Sequence, residues 1–509
     1  MTATMTPARP DTRTGRDGFA GLLHAEWTKF STVRGWVLGM AATAVAIVVV
    51  GLIGTGASNL GSAASTVPIA DDGRAVTDNF YFVHQSLTGD GSITVPVSLS
   101  GRIDGTSEPQ VVPWAKAGLI VKDSLTQGSA YAAIMVTGSH GVRMQDNYFH
   151  DVAGLAGATS ADAPRWLRLV RSGDLITGYD SSDGSRWTRV GTARLTGLAS
   201  TAQIGMFASS PMTMSEGDNG ASFNPAVGIG TFGSVGVTGG WTSGPWKGEK
   251  VGRDAGASGS YSNTLTGGFT ESNGAFTVTG AGDIAPAVAG TGPMYTLENF
   301  LVGAFAGLIV LIVIGTSFIT SEYRFGLIHT TFAASPRRGR VLMAKSVVLG
   351  SVAFGTGVLG AAVAVLIGPG QARSHGFAVI PVPMITELRV IVGTGLLLAV
   401  AAIFALAVGA LLRRSATAAT LVIAVIILPY VLAVSRVLPT VPSEWLLRVS
   451  PAAGFSVQQS LQRYDQVLTT YTPAAGYYPL APWVGFAVLC VYTAIALAAA
   501  TIVLRRRDA

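Results

Sequence analysis

Six uninterrupted apolar runs dominate the chain: Trp36–Gly54, Phe300–Thr320, Ser346–Gly368, Val390–Leu412, Ser415–Ser435 and Pro482–Leu504. Each is near the ~20 residues that a helix needs to cross a bilayer. As delimited, none contains Asp, Glu, Lys, Arg or His. Water cannot satisfy backbone groups in hydrocarbon, so such runs fold as membrane-spanning helices. Charged residues make up only 12% of the chain, against roughly 25% in a soluble protein. The fold class expected is therefore a membrane α-helical protein with six spans. Proton- and ion-coupled carriers place ionisable groups at membrane depth, and these runs offer none. Small residues are abundant instead, as in Gly355–Gly368, which lets helices pack closely.

The net charge of +6 follows topology and is not a nucleic-acid signal. Basic residues gather in the N-terminal stretch (Arg9, Arg13, Arg16, Lys29, Arg34), in Ser321–Lys345, at Arg413–Arg414 and at Arg505–Arg507. With six alternating spans all four places fall on one side, the cytoplasmic side of a plasma membrane by the positive-inside rule. Both termini are then inside and residues 57–298 outside. A few arginines (Arg373, Arg448, Arg463) stand in the short outer loops. The stretch Ser321–Lys345 sets Arg324, Arg337, Arg338, Arg340 and Lys345 against one carboxylate, Glu322. It reads either as a topogenic basic loop or as a helix and break that hand force from a soluble partner to the spans. No G-x-x-x-x-G-K-[ST] phosphate loop is present, and GPWKGEK at Gly244–Lys250 lacks the spacing. Uphill transport would thus draw on a separate ATPase. Cys490, the single cysteine, lies in the last run and reads as a packing residue.

Residues 1–17 read as a disordered tail. Within residues 18–56, Phe19, Leu22, Leu23, Trp27 and Phe30 repeat at helical spacing with His24, Glu26 and Lys29 elsewhere round the helix. This predicts an interfacial helix, with Leu23, Trp27 and Lys29 as its markers, or a plain extension of the first span. Residues 57–298 form a large polar insert that reads as β. Asp90–Gly91, Ser172–Gly173 and Asp183–Gly184 are turn dipeptides. Ala132–Val136 has strand length, and Leu167 and Leu169 alternate with Arg168. Many short strands at close intervals predict an antiparallel sandwich. A glycosidase would need a carboxylate pair across the scissile bond. Asp123, Asp146, Asp151, Asp174, Asp180 and Asp183 show no such pattern. His84, His140 and His150 lack metal-ligand spacing. Trp114, Trp166 and Trp187 are candidate glycan contacts or core residues. Residues 299–509 hold spans two to six with the loop 321–345. After the fifth run, Trp445, Leu446, Leu447 and Val449 predict a short interfacial helix, and Tyr471, Tyr477, Tyr478 and Trp483 an aromatic belt.

Two resemblances join these readings. FVHQSLTGDGSITVPVSL, WAKAGLIVKDSL, AYAAIMVTGSHGVRMQ, PRWLRLVRSGDLITGYDSSDGSRWTRVG and AQIGMFASS, in this order from Phe82 to Ser210, resemble bacterial concanavalin A-like lectin/glucanase (laminin G-like) domains. The likeness covers about Asn79–Val237 and implies an extracellular jelly-roll sandwich inserted between the first two spans. GTFGSVGV resembles its closing strand, followed by an irregular Gly-rich segment to about Gly268. Gly274–Val288 resembles the opening strand, expected to return as a permuted edge or to form a stalk. LLHAEWTKFSTVRGW and TSEYRFGLIHTTFAASPRRGRVLMAKSVV resemble the membrane subunits of ABC-2 type transporters of the actinobacterial form. That implies a coupling helix at Glu322, Tyr323, Arg324, Gly326, Leu327, Thr330 and Thr331, then Pro336, Arg337, Arg338, Gly339 and Arg340. His329 stands where that family often has a basic residue. The resemblance implies a dimeric permease, homo- or heteromeric, with membrane lipid around it. An ABC ATPase would bind ATP and Mg, while this chain binds no cofactor, metal or nucleic acid. The other class considered is a membrane-anchored receptor for cell-surface glycan, against which six spans count.

Overall fold

The computed structural model describes residues 18–56, 67–106, 108–156, 163–217, 220–242, 244–252, 267–288, 294–334, 337–435, 437–469, 471–473 and 476–507. The tail 1–17 and Pro336 lie outside them. Among the described residues six helices are long and apolar enough to cross a membrane: α2 (Arg34–Gly56), α4 (Gly303–Arg324), α6 (Arg338–Ser374), α7 (Met384–Leu412), α8 (Ser415–Val434) and α10 (Pro482–Arg507). The shorter α1 (Phe19–Thr32), α3 (Leu297–Phe300), α5 (Leu327–Ala334) and α9 (Thr440–Val449) flank them. α7 lies at the centre, packed on α4, α6, α8 and α10.

Close helix contact follows from small residues. A Cβ at Gly303 would fall 2.2 Å from the Ile47 carbonyl, and one at Gly51 2.0 Å from the Phe300 carbonyl. Gly303 brings α4, and Gly51 the end of α3, into backbone contact with α2. A 3-10 helix, Pro451–Gln458, is buried throughout. It returns among the helices, Val457 against Gly393 and Gly454 against Leu489. Arg389 closes its end, donating to the carbonyls of Val457 (3.1 Å) and Gln459 (2.7 Å). Buried protein contacts thus satisfy a backbone that is not α-helical. Of the expected aromatic belt only Trp483 is exposed, whereas Tyr477 is buried against the half-buried Tyr471 and Tyr478 packs towards Tyr430.

Between α2 and α3 stands a large, nearly closed β domain. Its spine is β2 (Phe80–Ile103), with 24 residues. The predicted turn at Asp90–Gly91 is therefore a correction: the strand runs through it. Gly89, at φ +71°, lets the chain kink from one layer to the next without ending the ladder. The first half of β2 pairs with β10 (Thr201–Ser209), and β10 with β3 (Lys116–Lys122). β4 (Tyr131–Thr137), β5 (Val142–Asp146) and β6 (His150–Ala153) follow in order. The second half of β2 pairs with β7 (Arg165–Ser172), followed by β8 (Leu175–Ser181) and β9 (Thr188–Arg194). Apolar side chains from both halves, such as Val95, Leu119, Ile134, Leu167 and Ile204, fill the core between them.

The opposite side of β2 is covered along its length by β13 (Ala226–Phe232), β14 (Gly236–Trp241) and β15 (Lys247–Val251). The Gly-rich segment expected to be irregular thus carries the strands β14 and β15 before Gly252, a second correction, and its stretch 253–266 lies outside the described residues. An open β2 edge would leave a row of unpaired backbone groups. β11 (Thr213–Gly217) and β12 (Gly220–Asn224) form a separate hairpin. β17 (Ala275–Gly280) does return, pairing with β13, but β16 (Gly268–Ser272) lies outside it and forms the edge.

The segments that join the domain to the helices form a strap. β1 (Val76–Asp78) pairs with β18 (Ile284–Pro286). The strap and Tyr148 cover the outer face of the β10–β3–β4 sheet, over Phe82, Ile120, Met135 and Phe207. Two lysines of β3 reach into it. Lys116 Nζ contacts Asp283 Oδ1 at 2.5 Å, and Lys122 Nζ contacts Asp78 Oδ2 at 2.8 Å. The Tyr148 hydroxyl donates to the same Asp78 oxygen at 2.7 Å. Burial pulls the Lys122 pKa below the usual lysine value although Asp78 opposes it, and burial pushes Tyr148 up. Beyond the strap, β19 (Met294–Tyr295) pairs in parallel with β20 (Ala378–Val379). Ala285 and Val288 pack on Val467 and Tyr477, and Ala75 and Ala287 on Ile380.

Candidate coupling site

Described basic residues from each of the four places, Lys29, Arg338, Arg413 and Arg505 among them, lie at the end of the helices opposite the β domain. Arg338 Nη1 donates to the Leu504 carbonyl at 2.8 Å. The Arg413 guanidinium lies 4.9 Å over the Tyr323 ring. Arg413 itself adopts φ +56° as the left-handed cap that turns α7 into α8.

At the centre of this end is a cluster of four charges, three of them buried, with Lys29 39% exposed at its rim. Lys345 Nζ sits 2.6 Å from Glu26 Oε2 and 2.7 Å from Glu322 Oε1. Lys29 Nζ bridges the same two carboxylates at 2.9 and 3.0 Å. Lys29 also reaches Thr331 Oγ1 at 3.4 Å. The ammonium of Lys345 lies 4.5 Å over the Phe318 ring, which covers it on the apolar side. Glu26, Glu322 and Lys345 are all buried. Burial opposes the Lys29 charge, yet the bonds to Glu26 and Glu322 prevail and hold its pKa above the usual lysine value. Two anions and two cations cancel, and each carboxylate contacts both lysines, which makes burial tolerable.

The cluster joins four elements: α1 through Glu26 and Lys29, α4 through Glu322, α5 through Thr331 and α6 through Lys345. α1 is therefore not simply an amphipathic surface helix. Phe30 and Glu26 are the residues turned inward, Leu23 is partly covered, and Trp27 is 51% exposed. Phe30 packs edge-on against Phe318 and stacks on Trp36.

Of the residues assigned to the coupling helix, Glu322 faces inward and Tyr323 is half-buried under Arg413. Arg324, Gly326, Leu327 and Thr330 are exposed, and Thr331 is half-buried. Gly326, at φ +71°, makes the corner between α4 and α5. Phe325 is 69% and Leu327 53% exposed at that corner. After α5 the chain resumes at Arg337, with Arg337 and Arg340 exposed and Arg338 and Gly339 half-buried. Sequence reasoning missed Glu26 and Lys345 as a pair. Its available signal was a lone carboxylate on an otherwise apolar helix stripe.

Of the three candidate glycan contacts, Trp114 stands apart from Trp166 and Trp187. Trp114 is 5% exposed, beneath His140 stacked at 4.0 Å, and is a core residue. Trp166 lies on the Gly184 turn, and Trp187 carries the Arg168 guanidinium 4.0 Å over its ring. Among the described residues no group of three or more His, Cys, Asp or Glu is placed to hold a metal ion.

No protein-family model matches this chain, and no curated protein matches it. Solved structures similar to part of it include scytalido-glutamic peptidase with a transition state analog inhibitor. That likeness has TM-score 0.26 and 13% identity, covering 40% of this chain and 98% of that one. A functionally unknown protein from Saccharomyces cerevisiae gives TM-score 0.22 and 14% identity, over 36% of this chain and 84% of that one. The GH43 protein BlXynB from Bacillus licheniformis gives 0.17 and 17%, over 23% and 24%. Likenesses at these scores carry no argument about activity.

Proposed function

We propose that this chain is the membrane subunit of an ABC-2 type ATP-driven transporter, an exporter, working as a dimer with separate ATPase subunits. The observation that carries the reading is the ion-paired cluster of buried Glu26, Glu322 and Lys345 with half-buried Lys29. It ties two spans and a flanking helix to a short helical corner that projects Arg324, Phe325 and Leu327. A lipid anchor has no use for such a rigid junction. A protein that receives force there does, because ion-paired elements move together. In this reading the basic end is cytoplasmic, both termini are inside, and the ATPase docks on the corner. ATP and Mg belong to that partner. The β domain is outside, a concanavalin A-like jelly roll that recognises cell-surface glycan.

The test is a detergent pull-down of the tagged chain with ATPase activity assayed on the eluate. A nucleotide-binding subunit is expected to co-purify and to be lost when Ser321–Arg340 is scrambled. Arg324→Glu is expected to weaken that co-purification about tenfold, the ~1.4 kcal/mol of a central interface arginine, with membrane insertion unchanged. Unaltered substrate-stimulated hydrolysis in this variant would remove Arg324 from the coupling surface. A solitary chain that binds glycan beside its candidate ATPase would establish the receptor instead.

A further inference from the structure

The sheet of β7, β8, β9 and the second half of β2 has one face in the core, through Leu167, Leu169 and Ile176. The other face looks outward. The strand registers place Thr94, Arg168, Tyr179 and Arg189 in one row across four strands. With strands about 4.8 Å apart, that row is about 14 Å long. Pro96 and Trp166 are cross-strand neighbours on one side of it, and Leu175 and Arg194 lie on the other. Trp187 stands under the Arg168 guanidinium, whose Nε also donates to Thr94 Oγ1 at 3.0 Å. Arg186, its side chain 94% exposed, follows in the turn before β9.

This face has an unbalanced charge. Asp183 lies 3.6 Å from Arg186, and its Oδ1 already accepts from the backbone N–H groups of Ser185 and Arg186. Among the described residues no carboxylate pairs with Arg168, Arg189 or Arg194. An ordinary solvated sheet face offsets like charges with opposite ones across the strands. Here an aromatic ring and hydroxyls stand between the arginines instead. The outward face of the other sheet is covered by the strap, whereas among the described residues no core cluster takes in Trp166, Arg168, Tyr179 or Arg189.

We infer that this face binds an acidic polysaccharide, its carboxylates or phosphates held by Arg168, Arg189 and Arg194 and its rings laid against Trp166, Trp187 and Tyr179. Guanidinium forks match both anions bidentately, and the flat aromatic sides suit pyranose rings better than acyl chains. This rests on the reading of the β domain as a glycan-binding module and names its ligand class.

The experiment uses the full chain in nanodiscs of neutral lipid. The probes are polygalacturonate, a glycosylated poly(ribitol phosphate), dextran and oligo(dT). At least one acidic glycan is expected to bind and to be released as salt rises. Polygalacturonate alone assigns carboxylate as the anion, and the phosphate polymer alone assigns phosphate. The double variant Arg168→Glu, Arg189→Glu is expected to lose at least about tenfold in affinity, roughly 1.4 kcal/mol. Trp187→Ala is expected to lose severalfold, with the melting temperature of the domain kept in each case. Retention of neither acidic glycan overturns the inference, as does binding indifferent to the double variant. Oligo(dT) bound as tightly, without loss in Trp187→Ala, reduces the face to general polyanion adhesion. Dextran bound equally by wild type and double variant sinks this face while the glycan-module reading survives.

Discussion

Lys345→Met is expected to destabilise the membrane part by about 3–5 kcal/mol, the cost of stripping one partner from a buried ion cluster. It leaves Lys29 alone against Glu26 and Glu322, with one of the two carboxylates uncompensated. The expected readout is a melting temperature in detergent lowered by about 10 °C. The double variant Glu26→Gln, Lys345→Met removes one charge of each sign and keeps Lys29 beside Glu322. It should recover most of the lost stability. A single variant that melts like wild type would show that water reaches the cluster and that it locks nothing. If the double variant is stable and still transmits ATP hydrolysis, the cluster is structural and the coupling path lies elsewhere.

The second large effect is expected in the strap. Asp78→Ala removes the carboxylate that meets Lys122, Tyr148 and the Gly128 amide. The Lys122 ammonium, fully buried, keeps only the Ser129 carbonyl at 3.1 Å and the Tyr148 hydroxyl at 3.2 Å. The expected loss is again about 3–5 kcal/mol. It has a pH signature whose sign follows from linkage. Lys122 already titrates below its unfolded value of 10.5, so the unfolded chain binds more protons between the two values. Stability therefore rises with pH across that window and falls as pH drops through the folded value. Losing Asp78 lowers the folded value further and widens the window. Thermal melts of the variant should gain more than wild type between neutral pH and about pH 10. A flat profile would place the Lys122 charge in contact with water.

The spans were legible because bilayer chemistry leaves one reading for an apolar run of that length. Their ends were not. The first charged residue makes a natural stopping point in a sequence, yet α6 begins at Arg338 and α4 runs to Arg324. Lys345 and Glu322 thus belong to helices, where each neutralises the other. Pairing across Glu26 and Lys345 spans 319 positions, and no local periodicity reports it. The β layer was legible from alternation, as at Leu167–Leu169, and from the turns at Gly173 and Gly184, both at positive φ. Asp90–Gly91 misled because a kink within a strand and a turn between strands use the same residues. The arginine row on β7–β9 needed register: Arg168 and Arg189 become neighbours of Tyr179 only once the strands are aligned.

The pairing of β1 with β18 has a consequence for how such a chain is put together. The two connecting segments of the β domain are zipped at its base, and α2 touches the end of α3 through Gly51 and the start of α4 through Gly303. Both sides of the junction therefore present their ends close together, as a short loop would. Loop-closure entropy grows only as the logarithm of the length enclosed. Once the domain has folded, even that cost falls on the strap and not on the helices. The helices need not register whether a few residues or a whole domain separates them. A cassette with adjacent ends can be placed at, or removed from, this turn of the chain with the bundle unchanged.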